Sequence, residues 1–337
     1  MSSSRRLPET QDIEGQLCFL YYSPTLYRQV PSFEPQDGDI IQVSCPRSGT
    51  HWVQQIIQLI LSRGESLETF VEFMDRAPYL EMQELKETQH FPRLLRTHFP
   101  MHKLRVSEKA KYIYVARNPW DTCVSCYHLI RDCPPTKFAD GSFDDFLDAF
   151  IDAQVGFGDY FDHVISGHSH RKDSNVFFVT YEELQGNKED VVLRLAYFLG
   201  KDHGKALEEN SDMFQLVLDK STVGFMKDIL RTNPQDGLKA FVKNSPDLQP
   251  ATVIENQKSC GTNDIHIIRK GVVGDWKRHF TPKNLEKMRA TIMQRTKGSD
   301  VMDLWKYDGG CKVPVTNGES PESTKIGDTF LGQKSQS

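Results

Sequence analysis

Residues 40–52 read IIQVSCPRSGTHW and carry the clearest sequence signals of the fold. The apolar run Ile40–Val43 ends at a polar loop that contains proline, which predicts a short buried strand. From Val53 to Ile60 the apolar residues recur at helical spacing, and Gly64 follows, so a helix is predicted directly after the loop. The segment is therefore a strand, a loop and a helix in immediate succession.

The same order of elements returns twice along the chain. Strands are predicted at Tyr112–Ala116 and Val176–Thr180, and the second of these precedes an apolar helical pattern over Val191–Leu199. Leu94–Thr97 predicts a further strand. Strands that alternate with helices predict an α/β fold with a single doubly wound parallel sheet flanked by helices. Ligands of such sheets bind beyond the carboxyl ends of the strands, so the loops there form the candidate site.

The overall composition excludes several classes of partner. With 337 residues, 38% hydrophobic and 26% charged, the chain resembles an ordinary globular protein. A formal charge of -5 argues against a nucleic-acid partner. No stretch approaches the roughly 18 apolar residues of a membrane span, and no apolar segment follows the arginines near the start, as a secretory signal requires. We therefore expect a cytoplasmic protein with no membrane or nucleic-acid partner.

The cysteines do not suggest a disulfide framework or a metal site. They are seven in number and scattered, which favours reduced thiols. Cys123 and Cys126 have the spacing of a metal-binding pair, but they fall in a helical pattern, and neither a second such pair nor a pair of histidines completes a zinc site. We interpret them as structural and predict no metal.

Two segments of the chain differ in composition from the rest. Residues 235–268 are polar and weakly periodic, which predicts a long loop of the kind that is a lid or is disordered. Residues 313–337 are rich in Ser, Thr, Gly and Lys and predict a flexible tail.

The first loop has the composition of an anion site. The start of a helix offers unpaired N–H groups and a positive dipole end, which together hold a phosphate. Gly49 lets the backbone approach closely, Ser48 and Thr50 add hydroxyl donors, and Arg47 adds a fixed charge suited to oxyanions. The loop lacks the GxxxxGK[ST] spacing that places a triphosphate and its magnesium, which argues against the alternative of a magnesium-dependent kinase.

PRSGTHW resembles the 5′-phosphosulfate loop of the cytosolic sulfotransferases, whose usual form is YPKSGTTW, and its variant CPRSGTHW is similar to that of arthropod, notably tick, members. Arg47 takes the place of the family's lysine, His51 of its second threonine and Cys45 of its tyrosine. The resemblance spans about residues 31–312, which implies one sulfotransferase domain over these residues after an N-terminal segment at residues 1–30. It implies transfer of a sulfuryl group from 3′-phosphoadenosine 5′-phosphosulfate (PAPS) to a hydroxyl group, without a metal. The PAPS ligands that it implies in this P-loop-like turn are Arg47, Ser48, Gly49, Thr50, His51 and Trp52.

Two further motifs of the same family follow in the expected order. Residues 116–125 (ARNPWDTCVS) match the element RNPxDxxVS, which implies that Arg117 and Ser125 bind the 3′-phosphate. Residues 269–277 (RKGVVGDWK) match RKGxxGDWK, so Arg269, Lys270 and the Gly271 amide would close on the same group. For the adenine, the resemblance implies stacking on Trp52, an edge contact from Tyr181, and walls from Ser221 and Val223.

A histidine follows the strand predicted at Leu94–Thr97. Residues 96–100 (RTHFP) resemble the family's KTHLP, in which the histidine is the catalytic base. An imidazole with a pKa near neutrality can accept the proton of an attacking hydroxyl. An arginine cannot give up its proton, so Arg47 would act only through its charge. The predicted catalytic residues are His98, Arg47 and Ser125. The resemblance implies that Ser125, Ser48 or both tune Arg47.

The acceptor and the oligomeric state are implied by resemblance alone. The acceptor would be a phenol or a phenolic monoamine, and the pocket candidates are Phe19, Tyr22, Leu129 and Ile267. Residues Lys277–Glu286 are similar to the dimer motif KxxxTVxxxE, with proline in place of valine, which predicts a homodimer. Thr281 and Pro282 are also an ordinary helix start.

A non-enzymatic alternative remains open at this stage. The substitutions at Arg47 and His51 are compatible with a catalytically impaired protein that binds PAPS or its product 3′-phosphoadenosine 5′-phosphate (PAP).

Overall fold

The computed structural model describes residues 5–85, 92–232, 234–248 and 265–306. Its strands are β1 Gln11–Ile13, β2 Gln16–Cys18, β3 Ile40–Ser44, β4 Leu94–Thr97, β5 Lys111–Ala116, β6 Val176–Thr180, β7 Arg231–Thr232 and β8 Ile265–His266. Its α-helices are α1 Pro24–Gln29, α2 Thr50–Leu61, α3 Phe70–Arg76, α4 Pro119–Arg131, α5 Phe143–Ile151, α6 Tyr160–Ser169, α7 Tyr181–Gly186, α8 Lys188–Leu199, α9 Lys201–Glu209, α10 Ser211–Lys220, α11 Val223–Ile229, α12 Pro234–Val242 and α13 Pro282–Arg295.

The central sheet has four parallel strands in the order β4-β3-β5-β6. All five residues of β3 are buried, which requires that both faces of the sheet be covered. Helix α2 packs on β3, α6 on β5 and α8 on β6. The predicted α/β fold with a parallel sheet is therefore confirmed, and so are the four strands read from the apolar runs.

The strand order brings three of the predicted site loops together. Because β3 lies between β4 and β5, Val43 pairs with Thr97 and Ser44 with Val115. All three strands run in the same direction, so their following loops leave the sheet at one edge. These are the loops that begin at Cys45, His98 and Arg117.

Helix α2 shows why the segment at residues 40–52 folds as it does. Its buried face includes the apolar residues that predicted it, and Gly64 adopts a left-handed conformation with φ 87° three residues after the helix ends at Leu61. Cys123 and Cys126 lie buried on α4, and both have free thiols among the described residues. Within the described ranges, no helix is long and apolar enough to cross a membrane.

The region predicted as a long loop differs from the prediction. Residues 235–268 contain most of α12 and strand β8, which pairs antiparallel with β7. Ala240 and Val242 of α12 are buried, and the ring of Phe241 lies 5.8 Å from that of Phe70. Tertiary packing therefore orders a segment whose local composition is polar. Residues 249–264, and the tail predicted at 313–337, lie outside the described residues.

Candidate active site

The first loop is shaped to bring backbone close to a ligand. Gly49 caps α2 with φ 107°, and a Cβ there would lie 2.8 Å from the ring of Tyr181. Arg47 also has positive φ, 69°, which is uncommon for a residue with a side chain. The Ser44 and Thr50 hydroxyls are 2.7 Å apart, and their hydrogen bond joins the two ends of the loop. The unpaired N–H groups at the start of α2 can therefore meet an anion directly.

Arg47 connects this loop to two other parts of the chain. Its Nε donates to Ser125 Oγ on α4 at 3.1 Å, and one terminal nitrogen donates to the carbonyl of Ile267 at 3.1 Å. The structure thus brings together the two residues that were predicted to act as a pair. Burial lowers the pKa of Arg47, but an arginine remains a cation at any physiological pH.

Arg117 connects all three predicted anion loops. One terminal nitrogen donates to the carbonyl of Arg47 at 3.2 Å, and the other donates to the carbonyl of Val272 at 3.0 Å. The guanidinium lies 4.3 Å from the centre of the Tyr181 ring, a cation–π distance. A single buried cation therefore holds residues 44–52, 116–125 and 269–277 at one place.

Several donors at this place have no partner within the described ranges. They are Ser48 Oγ, Arg117 Nε and Arg269 Nε, all buried. Buried donors are almost always hydrogen-bonded in folded proteins, and an unpaired one costs free energy. Three such donors on three converging loops fit an anionic ligand with more than one charged group.

The third loop carries its own counterion. Asp275 lies 2.7 Å from Arg269 and 2.7 Å from Lys270 and is 4% exposed. Burial alone would raise the pKa of this carboxyl, but the two cations lower it to about 2. Asp275 thus holds Arg269 and Lys270, the two basic residues predicted to meet a 3′-phosphate, side by side.

The adenine-side residues form one group. Trp52 donates from its indole nitrogen to the carbonyl of Ser221 at 2.8 Å, and its ring meets that of Tyr181 edge-on at 5.2 Å. Gly271, with φ 70°, packs so closely on Val223 that a Cβ would lie 2.4 Å from the valine side chain. The structure therefore brings the predicted adenine residues together with the loop that carries Gly271.

His98 is held in one tautomer. Its Nδ1 lies 2.7 Å from the carbonyl of Ser44, which can only accept, so Nδ1 carries the hydrogen and Nε2 carries the lone pair. Its backbone N–H donates to Glu81 at 2.7 Å, and its ring lies 4.8 Å from that of Tyr79. Burial lowers the pKa of His98 to about 4. This pKa is lower than the near-neutral value expected from the sequence, because burial disfavours the charged ring. The imidazole is therefore neutral at physiological pH, with the lone pair on Nε2.

Several buried polar residues with no predicted role help to position this site. Burial raises the pKa of Glu81, which holds the His98 backbone, to about 7. Arg96 is fully buried and lies 3.9 Å from the centre of the Tyr79 ring. Asp121 accepts from the N–H groups of Gly274 and Trp276 at 2.7 and 3.1 Å and so joins the second loop to the third. Asp121 was visible in its motif, but its partners in the third loop were not, and Glu81 lies outside every motif.

The predicted acceptor residues fall in different places. Phe19 and Tyr22 belong to a ring cluster, which we define as Phe19, Tyr22, Tyr27 and Phe99, with successive ring centroids 6.1, 5.8 and 4.5 Å apart. Phe99 directly follows His98. Ile267 is buried and meets Arg47 through its carbonyl, whereas Leu129 is half-buried on α4.

The segment Lys277–Glu286 contains a helix start. Thr281 caps α13 by accepting from the N–H of Asn284 at 3.2 Å, and Pro282 is the first residue of the helix. This is the ordinary structural reading of the motif, and the homodimer stays a prediction. Over the described part of the chain, no three or more His, Cys, Asp or Glu side chains are grouped to hold a metal ion.

The lowered pKa of His98 predicts an acid-sensitive fold. In the native state the ring binds a proton only near pH 4, whereas in the unfolded chain it binds one near about 6.5. Between these values the unfolded state holds more protons, so the free energy of unfolding falls as the pH falls. One such proton contributes a slope of up to about 1.4 kcal/mol per pH unit.

Denaturant unfolding at pH 7, 6 and 5 measures this slope. We expect His98→Gln to reduce it, because glutamine does not titrate. Equal slopes for the wild type and His98→Gln would contradict the prediction.

A comparison with protein families agrees with the geometry. The family model described as "Sulfotransferase domain" matches residues 37–300. The chain belongs to the sulfotransferase family. The matched range includes the three anion loops and His98. The resemblance to the sulfotransferase family is thereby confirmed, and the similarity to arthropod members stays a prediction.

Relatives and solved structures lead to the same family. This sulfotransferase is 34% identical to Sulfotransferase 1E1 of Bos taurus, with 89% of this chain and 97% of the relative covered. It is 33% identical to a 3-beta-hydroxysteroid sulfotransferase of Cavia porcellus, with 82% and 90% covered. Mouse sulfotransferase SULT7A1, crystallised with PAP, superposes with a TM-score of 0.64 at 26% identity, with 89% and 98% covered.

Proposed function

We propose that this sulfotransferase moves a sulfuryl group from PAPS to the hydroxyl group of a small acceptor, a phenol or a phenolic monoamine, by in-line displacement with His98 as the general base. The observation that carries the proposal is the position of Arg117, which donates to the first loop and to the third. Both ends of a nucleotide with a 3′-phosphate and a 5′-phosphosulfate can be bound only if these loops converge.

The residues present fit PAPS. The first loop and the start of α2 would hold the 5′-phosphosulfate, with Ser48 Oγ as an available buried donor. Arg117, Arg269 and Lys270 would hold the 3′-phosphate, and Arg117 and Arg269 each have a donor to spare within the described ranges. Trp52, Tyr181 and Val223 would enclose the adenine. PAP is the group with which a structural relative was crystallised, which supports this assignment.

The chemistry follows from the tautomer of His98. Its Nε2 accepts the proton of the acceptor hydroxyl as the acceptor oxygen forms a bond to sulfur. The bond between sulfur and the bridging oxygen breaks, and its electron pair leaves with the 5′-phosphate. The products are the sulfated acceptor, PAP and a protonated His98, which then loses its proton to solvent.

Arg47 and the start of α2 stabilise the charge that grows on the leaving oxygen. They are fixed donors in a buried site, and donors of this kind are worth most where water is excluded. Ser125 holds Arg47 through its Nε and so orients the guanidinium. These residues supply the electrostatic stabilisation from the protein itself, so the proposed reaction does not call for a metal.

The acceptor, the partner and the compartment are parts of the same proposal. The ring cluster beside His98 suits a planar aromatic acceptor. One relative, from Oryctolagus cuniculus, is named an amine sulfotransferase, which supports a monoamine. We place the reaction in the cytoplasm and propose a homodimer that uses Lys277–Glu286.

A transfer assay tests the proposal. Purified protein is incubated with PAPS labelled with ³⁵S and a panel of phenols and monoamines, with and without EDTA. We expect labelled product in both conditions. Tight PAPS binding without product would instead favour the impaired binding protein, and product that disappears with EDTA would contradict a reaction independent of metal.

A further inference from the structure

The loop carries a second histidine that the proposed mechanism does not yet use. His51 is the second residue of α2, two positions after Gly49, so it stands at the anion-binding end of the helix. Its ring stacks on Phe73, with centroids 5.9 Å apart and an angle of 25° between the planes. Phe73 is completely buried, so this contact fixes the plane of the imidazole.

The imidazole has one nitrogen without a partner. His51 Nε2 is buried and makes no hydrogen bond with any described residue. The neighbouring Arg96, which is 0% exposed, likewise has a terminal nitrogen, Nη1, that is unpartnered over the described ranges. Buried nitrogens are almost always hydrogen-bonded, so the unpartnered Nε2 of His51 indicates that a polar group of a ligand meets it.

The contacts of Arg96 place this pair beside the reaction centre. Tyr79 lies between Arg96 and His98, 3.9 Å from the guanidinium and 4.8 Å from the imidazole ring. Arg96 also donates to the sulfur of Met74, the residue after Phe73, at 3.4 Å. Arg96 therefore contacts both the residue that packs on His98 and helix α3, which carries the stacking partner of His51. Beyond burial, the ionisable groups that act on His51 are Arg96, Arg47 and His98.

These surroundings keep His51 uncharged. Burial is the largest cause that lowers its pKa well below the usual range, and the two arginines add to it. The positive end of the α2 dipole acts in the same direction. A neutral imidazole offers one N–H donor and one acceptor, and it can bind an anionic group without retaining the anionic product as a cation would.

We propose that His51 is a catalytic residue whose Nε2–H donates to a non-bridging oxygen of the sulfuryl group during transfer. Arg47 acts on the leaving side and His98 on the acceptor side, so a third group is needed for the oxygens of the sulfuryl group itself. His51 follows Arg47 by four residues in the same loop, and both Arg47 and His98 act on it electrostatically. This role rests on the proposed function. Because PAP lacks the sulfuryl group, loss of this hydrogen bond would affect transfer and not PAP binding.

Three substitutions test the assignment. Leucine keeps the size of the side chain and removes its polarity, glutamine can place an N–H near the position of Nε2, and asparagine places one nearer to that of Nδ1. For His51→Leu we expect kcat to fall by about 10²-fold to 10³-fold, the usual cost of losing one donor to a developing oxyanion. We expect PAP affinity, measured by calorimetry, to stay within about threefold, because the lost bond is not made to PAP.

The amide variants identify the nitrogen. His51→Gln should recover kcat to within about tenfold of the wild type, and His51→Asn should resemble the leucine variant, because a donor must stand at the right point to act. Wild-type kcat in His51→Leu would overturn the proposal, as would an equal loss of kcat in the glutamine and leucine variants. A parallel loss of PAP affinity would make His51 a nucleotide ligand or a structural residue instead.

The design separates this proposal from the function on which it rests. If the wild type transfers no label to any acceptor, the proposed function fails. If the wild type is active and His51→Leu is equally active, only the role of His51 fails. If His51→Leu does not fold, the comparison of the glutamine and asparagine variants decides.

Discussion

His98→Ala is expected to lower kcat by about 10³-fold and to leave the affinity for PAP within about threefold of the wild type. The imidazole supplies the base, and general-base catalysis usually contributes between about 10² and 10⁴ in rate. Its ring contacts Tyr79 and donates from Nδ1 to the Ser44 carbonyl at the start of the first anion loop, and it is not one of the residues proposed to bind the nucleotide. The loss should therefore appear in the chemical step and not in nucleotide binding.

The matched control for this change is His102→Ala. His102 lies four residues further along the chain, and its side chain is 44% exposed. The control should keep wild-type kcat and PAP affinity. If His98→Ala lost PAP affinity and kcat together, His98 would be a structural residue, and another base would be required.

Arg117→Ala is expected to raise the KM for PAPS by about 100-fold, with a smaller effect on kcat. Hydrogen bonds to charged groups contribute about 1.5–3 kcal/mol, and Arg117 would lose its bonds to the 3′-phosphate and to two loop carbonyls. Steady-state kinetics with PAPS as the varied substrate measures the effect. Arg131→Ala is the control, because Arg131 lies at the far end of α4 and packs on Tyr127.

A second nucleotide separates recognition of the 3′-phosphate from general damage to the site. Adenosine 5′-phosphosulfate lacks the 3′-phosphate, and the wild type should discriminate strongly against it. In Arg117→Ala this preference should shrink by a similar factor of about 100, because the lost contact belongs to that phosphate. An unchanged preference for PAPS would remove Arg117 from the 3′-phosphate site.

The sequence was sufficient to predict the sheet and the loops at its edge. Short apolar runs bounded by Gly, Pro and Asp are local signals, and β3, β4, β5 and β6 were all predicted from them. Because parallel strands end at one edge, the approach of the loops at Arg47, His98 and Arg117 followed from the fold class alone.

The partners within the site could not be predicted in the same way. Glu81 reaches the backbone of His98 across 17 positions, and Asp121 reaches Gly274 across 153. No local period encodes such pairs, because the contact depends on how separate elements pack. Helix α12 was missed for a related reason: its stability comes from burial of Ala240 and Val242, which composition over the whole segment conceals.

The ring cluster and the loop contacts of Arg117 come from different parts of the chain. The cluster consists of Phe19, Tyr22, Tyr27 and Phe99, whereas Arg117 contacts the carbonyls of residues 47 and 272. Mutations in the ring cluster can therefore accumulate without altering the loops proposed to bind PAPS. With the roles proposed for these two groups, related proteins can therefore change their acceptor specificity while they keep PAPS as the sulfuryl donor.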